Sequence, residues 1–269
     1  MKKYDSFFGP ELPEHGWVPA PRYLLRRNRI KSIVQNIHPK GGRLLEIGPG
    51  AGALLVEFSD LGYQCTALES SLPARDLMRK IFQKYDCKID TVGEPGAWSE
   101  SFDMICAFEV LEHIEDHEDA LKTWRSWLKP NGRLLLSVPS HMKAWNYRDV
   151  WAGHFRRYEK KDLSELLIQQ GFSIEKFESY GYPIGNLIDL YPKIQSKTTK
   201  RKYMKHGIQK SEATAKSGIE RKAEMRLYWL QTSGLGKFIL QQAYKIQDSL
   251  VDTDKGNGYL VYAKKSVQE

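Results

Sequence analysis

Apolar positions along the chain fall into short runs separated by glycine, proline and charged turns, and the runs alternate between two periods. Residues 21–37 set Leu24, Leu25, Ile30, Ile33, Val34 and Ile37 mainly on one face at helical spacing, and Lys40-Gly41-Gly42 ends that helix. Arg43 to Ile47 is short, apolar and followed by glycine, which suits a buried strand. A helix is predicted from Ala53 to Leu61 with Gly62 as its stop, then a strand from Tyr63 to Leu68. LPARDLMRKIFQKY reads as a second helix of this alternation, with Pro73 suited to its first turn. Strands are predicted over Cys87–Val92 and Phe102–Phe108, and a helix over Glu118–Leu128. Pro130-Asn131-Gly132 turns the chain into the strand RLLLSVP. Asp162 reads as the cap of a helix with Leu163, Leu166 and Leu167 inward and Gly171 at its end. A strand follows over Phe172–Phe177, and the last lies over Gly258–Lys264.

Strands alternating with helices imply an α/β protein with a parallel sheet covered on both faces. The last two strands break the alternation, because only a long, mostly polar and helical stretch separates them. An antiparallel partner at the sheet edge accounts for that. The reading divides the chain into one domain made of residues 1–182 and 257–269, and a basic helical insertion, a lid or cap, over 183–256.

Charge sharpens the picture of the insertion. The chain has 269 residues and a formal net charge of +8. Between Tyr191 and Arg226 lie eleven basic residues against three acidic ones, which equals the whole excess. Three uses compete for this segment: a substrate lid, a contact with an anionic membrane surface through 193–226, or an acidic partner. A solvated helical cap is the plainer reading. Nucleic acid is disfavoured, because the aromatics are not interleaved with the charges. Cys65, Cys87 and Cys106 are scattered with no CxxC pair, which reads as reducing and zinc-free. The first residues carry no long apolar h-region, and no run approaches a spanning helix. The expectation is a soluble, cytoplasmic protein.

The candidate chemistry begins at LLEIGPGAGALL, Leu44 to Leu55. In a doubly wound sheet, ligands sit beyond the carboxyl ends of the strands. Gly48, Gly50 and Gly52 fall at the first such end, and glycine lets a ligand approach peptide N–H groups. Glu69, at the tip of the next strand, is an acceptor suited to ribose hydroxyls. Gly48, Gly50 and Ala53 also satisfy the dinucleotide pattern, with Glu69 near the expected spacing for its ribose acid. Glu46 argues against a dinucleotide, because a carboxylate is unwelcome beside a pyrophosphate and welcome beside an ammonium or sulfonium. The downstream chain also lacks a second nucleotide-binding half. An ordinary strand–helix turn is the bland alternative.

LLEIGPGAG, Glu69, FDMICAFEVLEHIED and LKPNGRLLLSVP resemble, in order and spacing, the motifs of class I S-adenosylmethionine-dependent methyltransferases, and most of all the group that includes ubiquinone-biosynthesis O-methyltransferases. The resemblance covers about Arg43 to Phe177 and the final strand. It implies a Rossmann-like seven-stranded sheet with an antiparallel last strand, S-adenosyl-L-methionine as cofactor, and a small-molecule acceptor; oxygen is the first expectation for the methylated atom, with nitrogen or carbon behind it. It also implies roles for residues. Glu46, Gly48, Gly50 and Gly52 would hold the methionine end, Glu69 the ribose, Gly93 the adenine border, and Phe108 and Glu109 the cofactor floor, with Ser70 also binding the cofactor.

Three segments compete for the remaining chemistry. In some relatives an E-x-x-E-H pattern binds a magnesium-like ion, and Glu109, Glu112 and His113 match it. The reading preferred is that no metal is used and that Glu112 and His113 begin a helix or fill space. The segment from Ala144 to Leu163 follows the fifth strand. There Trp145, Tyr147 and Trp151 would wall an acceptor pocket, Arg156 or Arg157 would hold an acidic acceptor, and His154 would act as base, with His113 and Tyr158 as further catalytic candidates. Packing of Trp151 and Tyr158 within the loop, with both arginines paired to acids, is the plain alternative. Third, Trp17, Tyr23 and Arg26 would close over the cofactor, against the plainer reading of an amphipathic helix with solvated arginines. Beyond methyl transfer to a small molecule, the alternatives are an RNA 2′-O-methyltransferase with a divalent ion, a dinucleotide oxidoreductase and a non-catalytic cofactor-binding protein.

Overall fold

A computed structural model describes residues 3–35, 37, 41–187, 219 and 221–266 of the protein. Seven strands form one sheet: β1 (Arg43–Ile47), β2 (Gln64–Leu68), β3 (Asp90–Val92), β4 (Phe102–Phe108), β5 (Leu128–Pro139), β6 (Phe172–Tyr180) and β7 (Gly258–Lys265). Their order is β3-β2-β1-β4-β5-β7-β6. The first five pair in parallel, and β7 runs antiparallel to both neighbours. The expected edge position of the antiparallel strand is corrected: β6 is the edge, and β7 fills the slot between β5 and β6.

Strand periodicity explains why the sheet is buried on both faces. Leu44, Met104, Cys106, Leu135 and Leu260 face one core, and Leu45, Ile105, Leu134, Leu136 and Val261 face the other. The first core is covered by α1 (Pro21–Val34), α2 (Ala53–Asp60) and α3 (Leu72–Tyr85), the second by α4 (His117–Trp127) and α6 (Lys160–Gln169). Helix α4, with 11 residues, is too short to be stable alone in water. Burial of Leu121, Trp124 and Trp127 holds it, at about 1.5–3 kcal/mol for a large apolar side chain.

Most predicted boundaries agree within a residue or two, and the differences have causes. The third strand is only Asp90–Val92, because β2 is its sole neighbour. Strand β5 begins at Leu128, so Pro130-Asn131-Gly132 becomes an irregular part of it, with Asn131 at φ +61°. Glu159, not Asp162, stands at the N-cap of α6, and Asp162 lies in its first turn. Strand β6 runs on to Tyr180, because it pairs with β7 along that length.

Helix α1 is not lined by solvated arginines alone. Arg27 forks onto Glu57 of α2 at 2.6 and 2.7 Å, and Arg29 forks onto Glu178 of β6 at 2.8 and 2.9 Å, all four side chains being buried. Between β6 and β7 lie α7 (Lys222–Thr232) and α8 (Gly234–Asp248). Helix α8 packs on α1 through Leu240, Ala243 and Gln247; the Gln247 side chain donates to Leu25 O at 3.0 Å and accepts from Gly181 N at 2.8 Å. The run of basic residues from Lys193 to Lys216 lies outside the described residues.

Candidate functional site

The strand order reverses between β1 and β4, so the crevice beyond their carboxyl ends is the topological switch point of the sheet. Gly48, Gly50 and Gly52 stand there at φ +60°, +57° and +72°, a left-handed backbone that favours glycine. Packing makes its own demand on two of them. A Cβ on Gly48 would stand 2.8 Å from Val110 Cγ2, and one on Gly52 would stand 2.5 Å from Met78 Cγ. Glu69 staples the loop to the next helix: Oε2 accepts from Gly50 N at 3.1 Å and Oε1 from Ser71 N at 2.9 Å. Burial pushes the Glu69 carboxyl up, opposed by those two hydrogen bonds and by the charge of Arg75. Ser70 is exposed beside it. Past β3, a Cβ on Gly93 would stand 2.8 Å from Arg75 Nη1, so a guanidinium covers that loop.

Glu46 faces the same core as Leu44 by strand alternation and is 3% exposed. Its Oε2 is buried and has no hydrogen-bond partner among the described residues. Burial pushes its carboxyl up to about 8; Arg26 pulls it down and Glu69 pushes it further up.

At the end of β4, Arg26 lies over the Phe108 ring at 5.9 Å. Glu109 follows at φ +58°. Its Oε1 accepts from Ser137 Oγ at 3.0 Å and Tyr180 OH at 2.8 Å, with Arg26 Nη1 at 3.5 Å and Arg22 Nη2 at 3.9 Å from its carboxylate. Burial alone would raise its pKa, but Arg26, Arg22 and the two hydroxyls outweigh it and hold Glu109 ionised below the ordinary carboxylate value. Trp17 and Tyr23 meet edge to face at 5.8 Å, and Trp17 is buried in the core.

Three residues on, Glu112 is fully buried, and neither carboxylate oxygen has a hydrogen-bond partner among the described residues. Burial, and then the Glu109 charge, drive its carboxyl well above the ordinary value. Glu112, His113 and His154 bring one ligand atom each within 4.8 Å of one another. Glu109 is not in this group, because the arginines of α1 and the hydroxyls of β5 and β6 hold it. His154 replaces it, arriving from the loop after α5 (Tyr147–Ala152). The His154 Nδ1 lies 3.0 Å from Asp149 Oδ1, which leaves Nε2 pointing toward Glu112 at 3.9 Å. Asp149 is buried, and that alone would raise its pKa. Hydrogen bonds from His154 and Arg157, with the Arg157 charge, lower it to about 2.

The rest of the segment divides. Arg157 is buried and spent on Asp149, at 2.8 and 3.0 Å, and on Ser140 O at 3.2 Å. Arg156 donates to the carbonyls of Ile114 and Glu115 at 2.8 and 2.7 Å. Tyr158 is buried in the second core, its hydroxyl 2.9 Å from His117 Nδ1, and burial raises its pKa. Both arginines and this tyrosine are therefore tied into protein partners, as the plain reading of the segment held for Arg157 and Tyr158. Trp145, Tyr147 and Trp151 are half-buried along α5 and its approach. Asp149 was missed from sequence, though Asn146-x-x-Asp149 is a capping box and marks the start of a helix. Arg22 was also legible, one helical turn before Arg26. Tyr180 and Ser137 carry no local signal for their contact with Glu109.

The fold is that of a Rossmann-like α/β protein, with the crevice at the end of β1 as its topological switch point. The chain belongs to the methyltransferase-domain family, whose model matches residues 22–176. It is similar to the ubiquinone biosynthesis O-methyltransferase of Xanthomonas axonopodis pv. citri, at 29% identity over 135 residues, 48% of this chain and 53% of that protein. The protein of the same name from Coxiella burnetii is 29% identical over 153 residues, 53% of this chain and 64% of that one. The aligned region thus spans between about half and two-thirds of these curated relatives. The fold matches that of Burkholderia thailandensis 1,6-didemethyltoxoflavin-N1-methyltransferase, solved with bound 1,6-didemethyltoxoflavin and S-adenosylhomocysteine, at TM-score 0.54 and 16% identity over 90% of this chain and 78% of that one.

Proposed function

We propose that the protein transfers the methyl group of S-adenosyl-L-methionine to an oxygen of a small-molecule acceptor. The observation that carries this reading is Glu46, a buried carboxyl with an orphaned oxygen at the carboxyl end of β1. Such an atom suits the ammonium of the cofactor and would be out of place beside a pyrophosphate. The cofactor supplies a methyl group on a positively charged sulfur, already activated for displacement. The chain's part is to bind, orient and accept a proton. Glu46 and the loop of Gly48, Gly50 and Gly52 take the methionine end, Glu69 and Ser70 the ribose, and Gly93 borders the base. Phe108 and the ionised Glu109 form the floor. Trp145, Tyr147 and Trp151 wall the acceptor. Orientation of this kind contributes roughly 7–11 kcal/mol. With Nδ1 donating to Asp149, His154 Nε2 is the acceptor for a hydroxyl proton, a contribution of about 10²–10⁴-fold. The setting we assign is the cytoplasm.

Calorimetry with S-adenosylhomocysteine, beside a fluorescence titration with NADH, tests the cofactor. Binding of the first and not the second is expected, and the reverse refutes the reading. Release of labelled methyl into a metabolite extract, reduced roughly 10²-fold or more in His154→Ala, tests catalysis and the base.

One observation favours a second reading, in which a divalent ion assists. The orphaned Glu112 oxygens, with His113 and His154, fit a two-imidazole, one-carboxylate ligand set, and Asp149 orients His154 as an outer-shell carboxylate does. Manganese titration followed by electron paramagnetic resonance should show one site that Glu112→Gln removes. An unchanged spectrum in that variant rejects the ion. An RNA ribose hydroxyl as acceptor remains attached to this reading alone.

A further inference from the structure

Exposed large apolar side chains are scattered singly over most of the surface, as at Leu61, Leu72 and Ile168, but they gather on α7 and α8. On α8, Leu235, Phe238, Ile239 and Ile246 are 63%, 57%, 53% and 43% exposed. At 100° per residue these four fall in one stripe. Leu240, Ala243 and Gln247 fall on the adjoining face and are the residues buried against α1. Among the described residues, helix α8 is therefore apolar on two faces, one covered and one bare. Helix α7 adds Leu227 and Leu230, one turn apart, and Trp229, the three being 62%, 43% and 71% exposed. A helix that only had to pack on α1 would carry polar residues at these positions.

The chemistry of the occupant follows from charge. The sequence from Tyr191 to Arg226, which leads into α7 and includes its first residues, carries eleven basic residues against three acidic ones. Arg226 is exposed on α7, and exposed Lys245 flanks the α8 stripe. A second copy of this chain would bring like charge to like charge on this face, with Arg226 and Lys245 on each. Protein interfaces are depleted of lysine at their centres. Apolar side chains including tryptophan and phenylalanine, bordered by lysine and arginine, are the composition of a helix lying in a lipid headgroup layer. Each basic residue near an anionic surface adds to the attraction. No described helix is long and apolar enough to cross a membrane, so such a helix pair would lie on the layer.

We propose that α7 and α8 form a docking surface for an anionic lipid bilayer. Flotation of the full chain with vesicles rich in phosphatidylglycerol, and with vesicles of phosphatidylcholine alone, tests this. The protein should float with the anionic vesicles, should be released by high salt, and should bind neutral vesicles weakly. The triple variant Leu235→Ser/Phe238→Ser/Ile239→Ser should lose roughly tenfold or more of its partitioning while keeping its circular dichroism and its affinity for S-adenosylhomocysteine. Trp229→Ala, on the other helix, should lose a smaller part. Wild type that fails to float, or a triple variant that floats as well as wild type, overturns the proposal. So does concentration-dependent self-association of the wild type that the triple variant abolishes, since that would assign the surface to a second copy.

Discussion

Glu46 concentrates the electrostatics of the site in one side chain. Its carboxyl titrates at 4.5 when free and at about 8 in the fold, because burial disfavours the anion. Between those values the folded chain holds a proton that the unfolded chain has lost. Stability contributed by this group is complete below pH 4.5 and is lost as pH rises toward 8, by about 1.4 kcal/mol per pH unit at most. Glu46→Gln removes that loss. Thermal melts should show the variant more stable than wild type near pH 8, with the gap closing toward pH 4.5. The same variant should bind S-adenosylhomocysteine more weakly, because the carboxylate proposed to pair with the ammonium is gone. A melting advantage without an affinity loss would detach Glu46 from the ligand. The position of Glu46 was legible: an acid ending an apolar run before glycines has few structural uses. Its shifted pKa was not legible, because burial and the approach of Arg26 come from the covering of the sheet by α1.

At the scale of elements, the turn from β1 into α2 joins two requirements. Gly52 is left-handed at φ +72° and lies against Met78 and Phe82 of α3. Gly52→Ala meets backbone strain and overpacking together, each about 1–3 kcal/mol. A loss of about 2–6 kcal/mol in denaturant unfolding is expected; a loss below 1 kcal/mol would mean that α3 yields easily. The glycine pattern announced the loop, yet the reason for Gly52 lies with α3, twenty-six residues downstream. The segment after β5 shows the converse. Its aromatics, histidine and arginines advertised chemistry, and the structure separates them: His154 faces Glu112, while Arg156, Arg157 and Tyr158 hold the loop in shape. Residue type alone does not tell an arginine that binds a ligand from one that binds a buried aspartate.

Across the whole molecule, α1, the edge strand β6 and α8 meet at Arg29. Its Nε and Nη2 fork onto Glu178, and its Nη1 reaches Asp248 at 2.6 Å. Among the described residues, Arg29→Met leaves Lys176 as the cation beside buried Glu178, at 3.2 Å. The expected cost is about 3–5 kcal/mol in unfolding free energy. Arg29→Met/Glu178→Met should recover most of it, because a buried pair replaced by apolar groups is often neutral. If the double variant is no better than the single one, the pair does more than neutralise itself. Residues 29 and 178 lie 149 positions apart, and nothing local in either segment announces the other.

By itself the sequence determined the alternation of strands and helices, the glycine loop with its two acids, and the family. Those properties are written in spacings of a few residues, which local periodicity and turn chemistry express directly. The tertiary structure alone decided that β7 lies inside the edge, that Glu109 belongs to the arginines of α1, that His154 joins Glu112, and that, among the described residues, α8 keeps one apolar face bare. Each of these depends on which distant surfaces meet, and burial sets both the partner and the charge state of a side chain only after they have met.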